Sequence, residues 1–163
     1  MIKLIILDVD GCLSDGKIIY NADAKEAKNF NVKDGFGIKA AQALGYEIAI
    51  ITGRDSSIVE HRAKELGIKY LFQGIKDKKS IAMGLCEDLE IEPSEIAAIG
   101  DDLNDYKLLS WVGRAYTPAD GILNLDSVAK RLNRVGGDGC VREMIEDIFH
   151  IDGNYDRFLA LWI

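Results

Sequence analysis

Four short apolar runs, separated by segments with helical periodicity, constrain the fold of this chain more than any other feature. The first run, residues 2–9, contains a single lysine, which is typical of a strand buried on both faces. Three later runs have the same character and cover residues 47–52, 69–72 and 96–100. Apolar residues recur at helical spacing in three intervening segments, residues 36–44, 56–66 (followed by a capping glycine, Gly67) and 77–89. The alternation predicts right-handed βαβ units and a Rossmann-like, three-layer α/β/α fold with a central parallel sheet.

One stretch departs from this alternation directly after the first predicted strand. Residues 17–20 and 27–32 flank a polar turn, which predicts a β-hairpin flap over about residues 17–32. No linker or repeat divides the 163 residues, so we expect a single domain, residues 1–163. A cap domain would need about a hundred further residues, and the chain has no room for one.

The C-terminal tail, about residues 151–163, is unusually apolar at its end. Two interpretations stay open for it. The tail packs on the core of its own chain, or it docks near the site of a neighbouring subunit after residues 136–139 have turned the chain.

Composition excludes several classes of partner and location. The chain has 20 basic and 27 acidic residues and a formal net charge of −7, which argues against nucleic acid or an anionic membrane as a partner. A small anionic substrate stays compatible with this charge, because a local cation can capture it. The three cysteines lie at neither metal nor redox spacing, so we interpret them as small core residues in a reducing compartment. Without a signal-peptide or membrane-spanning pattern, we expect a cytoplasmic location.

Polar side chains lie at or just beyond the ends of all four predicted strands, at the edge where α/β sheets bind ligands. They are Asp8 and Asp10 at the end of the first strand, Thr52, Gly53 and Arg54 at the end of the second, Lys76, Lys78 and Lys79 beyond the third, and Asp101, Asp102, Asn104 and Asp105 at or beyond the end of the fourth. Converging carboxylates repel one another unless a cation joins them, and carboxylate oxygens suit Mg²⁺. A metal beside a lysine can hold a phosphoryl group, an aspartate can attack it, and a second aspartate can transfer the proton. The set therefore predicts magnesium-dependent phosphoryl transfer.

Each of these features taken singly has an ordinary structural explanation. Asp-x-Asp-Gly occurs in turns and calcium loops, Thr52 could cap a helix, and Lys78 could be a solvated charge. An EF-hand is excluded because Gly11 holds the fourth loop position and a strand precedes the loop. No P-loop motif or nucleophile elbow is present, and we interpret His61 and His150 as structural or surface residues.

The ordered set resembles the four motifs of the haloacid dehalogenase-like phosphatase superfamily. The matching segments are Asp8-Val9-Asp10-Gly11, Thr52-Gly53-Arg54, Lys78 and Gly100-Asp101-Asp102-Leu103-Asn104-Asp105. By position, the resemblance implies that Asp8 is the nucleophile and Asp10 the general acid/base, with Thr52, Gly53 and Lys78 binding the phosphoryl group. It also implies that Asp8, the backbone carbonyl of Asp10, and Asp101 bind Mg²⁺. Asp102 and Asp105 would lie just outside this metal shell. The spacing after Gln73-Gly74 favours Lys78 over its neighbours Lys76 and Lys79.

A narrower resemblance covers five segments, residues 8–16, 30–37, 51–56, 72–78 and 136–143. They are similar to the capless branch that hydrolyses 3-deoxy-D-manno-octulosonate 8-phosphate in lipopolysaccharide inner-core synthesis. This resemblance implies a small phosphorylated sugar acid as substrate, Arg54 and Arg62 as substrate-binding residues, and a homotetramer whose flaps form a central β-barrel. Cys12 stands where valine is usual in the branch, and Lys33 where arginine is common.

Three alternatives accompany this interpretation. A sister group cleaves the 9-phosphate of a nine-carbon, sialic-type sugar acid. It carries glutamate at the position of Arg54 and lysine at that of Glu65, so Arg54 favours the eight-carbon substrate. A non-catalytic subunit that keeps the fold would be expected to have lost a catalytic aspartate. A phosphomutase would be expected to have a cap domain.

Overall fold

The computed structural model describes residues 1–163. Its strands, in chain order, are β1 (Leu4–Leu7), β2 (Ile19–Tyr20), β3 (Glu26–Ala27), β4 (Glu47–Ile51), β5 (Tyr70–Phe72), β6 (Ile96–Ile99), β7 (Arg114–Thr117) and β8 (Lys130–Arg131). Its helices are α1 (Val32–Ala43), α2 (Ser57–Leu66), α3 (Lys78–Leu89), α4 (Tyr106–Leu109), α5 (Cys140–Asp152) and α6 (Tyr155–Leu159). Six strands form one sheet in the order β5-β4-β1-β6-β7-β8, and β2 pairs with β3 in a separate hairpin.

The large sheet is parallel throughout, and β1 lies near its centre. Leu7, the last residue of β1, is in register with Ile50 of β4 and Ile99 of β6. Parallel strands in this register end at the same edge. The residues that follow β1, β4 and β6 therefore meet there, as predicted.

The core lies on both faces of the sheet because side chains alternate along each strand. Ile5 and Leu7 belong to a cluster of 27 buried residues shared with α1, α2 and α5. Leu4 and Ile6 belong to a cluster of 12 shared with α3 and α4. The three-layer α/β/α architecture is confirmed.

Several predicted boundaries differ from the structure. Helix α1 begins at Val32, four residues before the predicted start, where the side chain of Asn31 accepts a hydrogen bond from the backbone N–H of Lys33. Gly35 lowers the helix propensity of this first turn, so the sequence argument missed it. A Cβ on Gly35 would lie 2.6 Å from Nη2 of Arg62, so close packing explains a glycine at this position.

Five elements, β7, β8, α4, α5 and α6, were not predicted. Among them, α5 has apolar residues at helical spacing (Val141, Met144, Ile145, Ile148 and Phe149), a signal that the sequence argument did not use. Strands β7 and β8 complete one side of the sheet, but their segments are short and contain charged residues. Helix α5 follows the turn over residues 136–139 and packs closely on α1. The end of α2 was predicted well, since Gly67 adopts the left-handed conformation that closes the helix.

The flap is a hairpin, as expected, but its arms are shorter than predicted. Only two residues of each arm pair, and Ile19 lies opposite Ala27. The predicted second arm over residues 27–32 is wrong beyond Ala27, because the chain leaves the hairpin there and enters α1 at Val32.

The first part of the tail packs on the core of its own chain, whereas its last residues are exposed. Phe158 is buried, and its ring centroid lies 5.3 Å from that of Phe149, so this part packs on the core of its own chain. The ring of Trp162 lies 4.5 Å from that of Phe36, yet Trp162 and its neighbours Leu161 and Ile163 are exposed.

Two of the three free cysteines, Cys12 and Cys140, are buried as expected of core residues, whereas Cys86 is half-buried. None of the helices is both long and apolar enough to cross a membrane.

Candidate active site

A cavity of about 260 Å³ without any hydrophobic residue in its lining opens at the carboxyl edge of the sheet. It collects most of the predicted site residues from three neighbouring strands. Its lining residues are Asp8, Asp10, Gly16, Thr52, Gly53, Arg54, Asp101, Asp102 and Asn104.

Asp8 is the first residue beyond β1 and lies almost completely buried in this cavity. Its backbone N–H donates to the carbonyl of Ile99 at 3.3 Å, which continues the pairing of β1 with β6 past the end of the strand. Burial raises the pKa of the Asp8 carboxyl, although the neighbouring Lys78 acts in the opposite direction. The ammonium group of Lys78 therefore does not compensate fully for the burial of the Asp8 carboxylate.

Lys78 is the only one of the three candidate lysines that contacts the carboxylates of Asp8 and Asp105. As the first residue of α3 it is buried, and its Nζ lies 2.6 Å from Oδ1 of Asp8 and 2.6 Å from Oδ1 of Asp105. Burial alone would lower the pKa of Lys78, but the two carboxylates outweigh it and hold the pKa above its ordinary value. Lys76 is exposed, and Nζ of Lys79 lies 5.7 Å from the ring centroid of Trp111.

Asp105 organises the loop that follows β6. Its Oδ2 accepts hydrogen bonds from the backbone N–H groups of Asp101 at 3.1 Å and Asp102 at 3.4 Å, while its Oδ1 faces Lys78. A side chain on Gly100 would collide with Asp105, since a Cβ there would lie 2.4 Å from that of Asp105. Gly100 and Asp105 together therefore fix the direction in which Asp101 enters the cavity.

The carboxylates of Asp8 and Asp101 converge closely enough to share a cation. Burial, followed by the negative charges of Asp8, Asp105 and Asp102, raises the pKa of Asp101 to about 7. Gly11 has φ +91°, and a Cβ on it would lie 2.0 Å from Oδ2 of Asp101, so only glycine allows this approach. The carboxylate oxygens of Asp8 and Asp101 repel each other, and a bound cation would relieve this repulsion. Carboxylate oxygens are ligands that Mg²⁺ prefers.

Two neighbours of this pair are poorer ligands. The thiol of Cys12 also lies near both carboxylates, but burial and the charges of Asp8 and Asp101 raise its pKa, so it stays protonated. Asp102 is exposed and uses Oδ1 to accept from the backbone N–H of Leu103 at 2.7 Å.

Thr52, Gly53 and Arg54 follow β4 and form the opposite wall of the cavity. Thr52 is buried, and its backbone N–H and carbonyl are held by Phe72 and Ile75 respectively. The side chain of Arg54, in contrast, is 42% exposed at the mouth of the cavity, where it can meet a substrate.

Arg62 is the one predicted site residue that neither lines this cavity nor contacts a residue that does, whereas Lys78 and Asp105 lie behind the lining and contact Asp8 and Asp101. Its Nη1 donates to Oε2 of Glu65 at 2.8 Å, and its guanidinium carbon lies 5.5 Å from the ring centroid of Phe30. The predicted role of Arg62 in substrate binding stays a prediction.

The flap contributes two charged residues that the sequence argument overlooked. Oε1 of Glu26 lies 2.8 Å from Nη2 of Arg54, and Nζ of Lys28 lies 2.5 Å from Oδ1 of Asp10. Their i, i+2 spacing was a usable signal, because alternate residues of an extended arm project to the same face.

The turn over residues 136–139 supports the loop that carries Asp10. The backbone N–H of Gly137 donates to the carbonyl of Cys12 at 2.9 Å, and the thiol of Cys140 donates to the same carbonyl at 3.2 Å. A Cβ on Gly136 would lie 1.9 Å from the carbonyl oxygen of Gly11. The sequence argument gave this turn a role only in directing the tail.

A comparison with family models matches residues 37–113 to the haloacid dehalogenase-like hydrolases. The KdsC protein of Escherichia coli K12, a 3-deoxy-D-manno-octulosonate 8-phosphate phosphatase, is 42% identical over 157 residues, which cover 96% of this chain and 84% of the relative. The phosphatase of the same name from Yersinia pestis is 41% identical over 89% of this chain and 78% of its own length.

Solved structures agree with this similarity. The phosphatase of that name from Moraxella catarrhalis, crystallised with a magnesium ion, a phosphate ion and KDO, superposes with a TM-score of 0.95 at 44% identity, covering 99% of this chain and 94% of the other. A cobalt-bound deoxy-D-mannose-octulosonate 8-phosphate phosphatase from Haemophilus influenzae gives 0.89 at 34% identity, covering 94% and 91% respectively. The chain therefore belongs to the haloacid dehalogenase-like hydrolases, within the family of the 3-deoxy-D-manno-octulosonate 8-phosphate phosphatases.

Proposed function

We propose that this chain is a magnesium-dependent phosphatase that hydrolyses 3-deoxy-D-manno-octulosonate 8-phosphate to the free sugar acid and phosphate, a step of lipopolysaccharide inner-core synthesis. The observation that carries the proposal is the placement of Asp8 between Lys78 and Asp101, with Asp10 two residues further on. A nucleophile, a phosphate-binding cation and a metal site thus meet in one polar cavity. The whole of residues 1–163 would act as one domain without a cap.

In the proposed reaction, Asp8 attacks the phosphorus atom and the bond from phosphorus to the sugar oxygen breaks. Asp10 gives its proton to the departing oxygen, which leaves an aspartyl phosphate on Asp8. Asp10 then takes a proton from a water molecule, whose oxygen attacks phosphorus and releases phosphate, and Asp8 is regenerated.

Thr52, the backbone of Gly53, and Lys78 are the proposed ligands of the phosphoryl oxygens. Their work is positioning and charge neutralisation, the main demands of phosphoryl transfer. Mg²⁺ would be held by Asp8, Asp101 and the backbone carbonyl of Asp10, with Asp102 beside it. When bound, the ion neutralises charge on the transferring group.

The nine-carbon alternative is disfavoured by Arg54 and by the names of the relatives. A guanidinium at the mouth of the cavity can bind a substrate carboxylate through two parallel hydrogen bonds. The non-catalytic alternative lacks support because Asp8, Asp10, Lys78 and Asp101 are all present. A phosphomutase would need a cap to exclude water, whereas the segment inserted between β1 and α1 forms only a short hairpin flap.

Phosphate release with Mg²⁺ from the eight-carbon 8-phosphate, the nine-carbon 9-phosphate and p-nitrophenyl phosphate tests the proposal. We expect kcat/KM to be highest for the eight-carbon substrate. Arg54→Glu should lower kcat/KM for that substrate by about tenfold or more, since each 1.4 kcal/mol is tenfold, and change the generic ester little. Lys64→Glu, the same charge change at an exposed position of α2, is the control. An equal loss of kcat/KM on the eight-carbon substrate and on p-nitrophenyl phosphate would show that Arg54 does not recognise the sugar acid. A higher kcat/KM of the wild type for the nine-carbon substrate would refute the proposed substrate.

We further propose that the chain forms a homotetramer through its flap. Ile18, Ile19 and Tyr20 are large side chains that are exposed on the flap, and both hairpin edges lack partners in the single chain. Pairing of flaps around a symmetry axis would cover both. The exposed tail residues Leu161, Trp162 and Ile163 would then lie near a neighbour. The cytoplasmic location expected from the sequence stays a prediction.

Sedimentation tests the assembly and should give a mass near four times the 18.0 kDa of one chain. Ile18→Asp should shift the protein to lighter species, whereas Met83→Asp, at an exposed position of α3, should not. A fully active monomer at assay concentration would refute the tetramer. Deletion of residues 161–163 keeps Phe158 in the core, and unchanged kcat, KM and mass after this deletion would refute a role for the tail.

A further inference from the structure

Lys28 is a flap residue whose side chain is withdrawn completely from solvent. It follows β3 by one position, and its side chain has 0% exposed surface. Its ammonium group lies 2.5 Å from Oδ1 of Asp10 and 3.2 Å from Oε1 of Glu26. A lysine is rarely buried unless it is paired, so its two carboxylate partners account for this position.

The two oxygens of the Asp10 carboxylate are treated differently. Oδ1 accepts hydrogen bonds from Lys28 and, at 3.5 Å, from the hydroxyl of Ser14. Oδ2 accepts no hydrogen bond from the protein, and it lies 3.8 Å from Nε of Arg54. One oxygen is therefore held by the protein, while the other is left for the contents of the cavity.

Glu26 secures Lys28 from the other side. Its Oε1 accepts hydrogen bonds from both Lys28 and Arg54, at 3.2 Å and 2.8 Å. The flap itself has only a two-residue ladder, so these ionic contacts tie its second arm to the site.

We propose that Lys28 is a positioning residue that clamps Oδ1 of Asp10 and so directs Oδ2 toward the departing oxygen of the substrate. The inference rests on the proposed function, in which Asp10 supplies the proton to that oxygen. Lys28 itself exchanges no proton with the substrate, and Glu26 serves by holding Lys28 in place.

This role has a kinetic consequence that a purely structural role lacks. Proton donation matters for an alkoxide, which leaves poorly, and matters little for p-nitrophenolate, which leaves readily without a proton. kcat/KM reports the steps through departure of the leaving group, so the later attack of water does not mask the difference. Loss of Lys28 should therefore discriminate between the two classes of ester.

The experiment compares kcat/KM for a primary alkyl phosphate and for p-nitrophenyl phosphate with saturating Mg²⁺. We expect Lys28→Met to lower the alkyl value by about tenfold to a hundredfold, and the p-nitrophenyl value by less than about threefold. Lys28→Arg should restore part of the alkyl activity because it keeps a donor. Lys25→Met, at an exposed flap position with no side-chain contact, is the matched control and should change neither value.

Two outcomes would overturn the inference. Equal losses on both esters would assign Lys28 to folding or phosphate binding, and no loss on either would mean that its contact with Asp10 has no part in the reaction. Asp10→Asn, measured on the same esters, distinguishes a failure of the role proposed for Lys28 from a failure of the role proposed for Asp10. If that variant shows the leaving-group dependence and Lys28→Met does not, the role of Asp10 stands and the role of Lys28 fails. If neither shows it, both fail.

Discussion

Nζ of Lys78 lies 2.6 Å from Oδ1 of Asp8, although 70 positions separate the two residues in the chain. The contact joins the end of β1 to the start of α3 and places a buried cation on the proposed nucleophile. Lys78 also neutralises Asp105, so one ammonium group supports both the reacting carboxylate and the loop that orients Asp101. The first two predictions follow from this arrangement.

Asp8→Asn should abolish turnover and leave the fold intact. An amide is a far weaker nucleophile than a carboxylate, and Lys78 keeps Asp105 as a partner in the variant. We expect kcat to fall by roughly a thousandfold or more, with an unchanged circular dichroism spectrum. Asp88→Asn, the same change at an exposed position of α3, should retain full activity. Near-normal activity of a folded Asp8→Asn protein would disprove the mechanism.

Activity should depend strictly on a divalent cation, with Mg²⁺ preferred and Ca²⁺ poor. Ca²⁺ tolerates more ligands at longer distances and would loosen the geometry of phosphoryl transfer. Mg²⁺ should also raise the Tm of the wild type, because a ligand that binds only the folded state stabilises it. The increase in Tm should be smaller in Asp101→Asn. Full activity after exhaustive chelation would contradict this prediction.

Gly136→Ala should lower both kcat and stability by displacing the loop that carries Asp10. The added Cβ would overlap the carbonyl oxygen of Gly11, which is backbone and cannot rotate away. Gly84→Ala is the matched control, since a Cβ there meets nothing within 4 Å on α3. That control should raise the free energy of unfolding by about 0.5–1 kcal/mol. Wild-type kcat and stability in Gly136→Ala would show that the turn over residues 136–139 does not support the loop that carries Asp10.

Asp34 should make the protein less stable as pH rises from about 5 to 7.5. This buried residue holds the start of α5 by accepting from the backbone N–H of Arg142 at 2.8 Å, while its Oδ2 has no partner. Burial, opposed by backbone hydrogen bonds from Arg142 and Gly139, raises its pKa from 3.8 to about 6. The folded state therefore binds the proton more tightly than the unfolded state. The resulting stabilisation is present at low pH and is lost as pH rises through the folded pKa.

Urea unfolding with saturating Mg²⁺ at both pH values measures this effect. Across the interval, the wild type should lose about 1 kcal/mol of stability relative to Asp34→Asn. The amide keeps the acceptor for Arg142, so the comparison isolates the charge. A stability difference between the two proteins that does not change with pH would refute the raised pKa.

Much of the candidate site was readable from the sequence because each motif is local. Asp8, Thr52 and Asp101 directly follow or lie close behind apolar runs, and parallel strands deliver such residues to one edge. The choice of Lys78 over Lys76 and Lys79 came from spacing and family resemblance. In the structure, Lys78 is the one of the three that contacts Asp8, and its role in binding phosphate stays a prediction. The sequence argument missed β7, β8 and the first turn of α1, which lack a clear pattern. It also missed α5, whose apolar residues recur at helical spacing.

The sequence by itself determined strands β1, β4, β5 and β6, the α/β/α layers and the order of the chemical groups along the sheet edge, because burial on both faces requires continuous apolar runs. Only the tertiary structure decided which distant groups touch: Lys28 and Asp10, Asp34 and α5, Gly136 and Gly11. It also left Arg62 outside the cavity. Such contacts depend on how loops cross in space, and local propensity and hydrophobic periodicity carry no information about that.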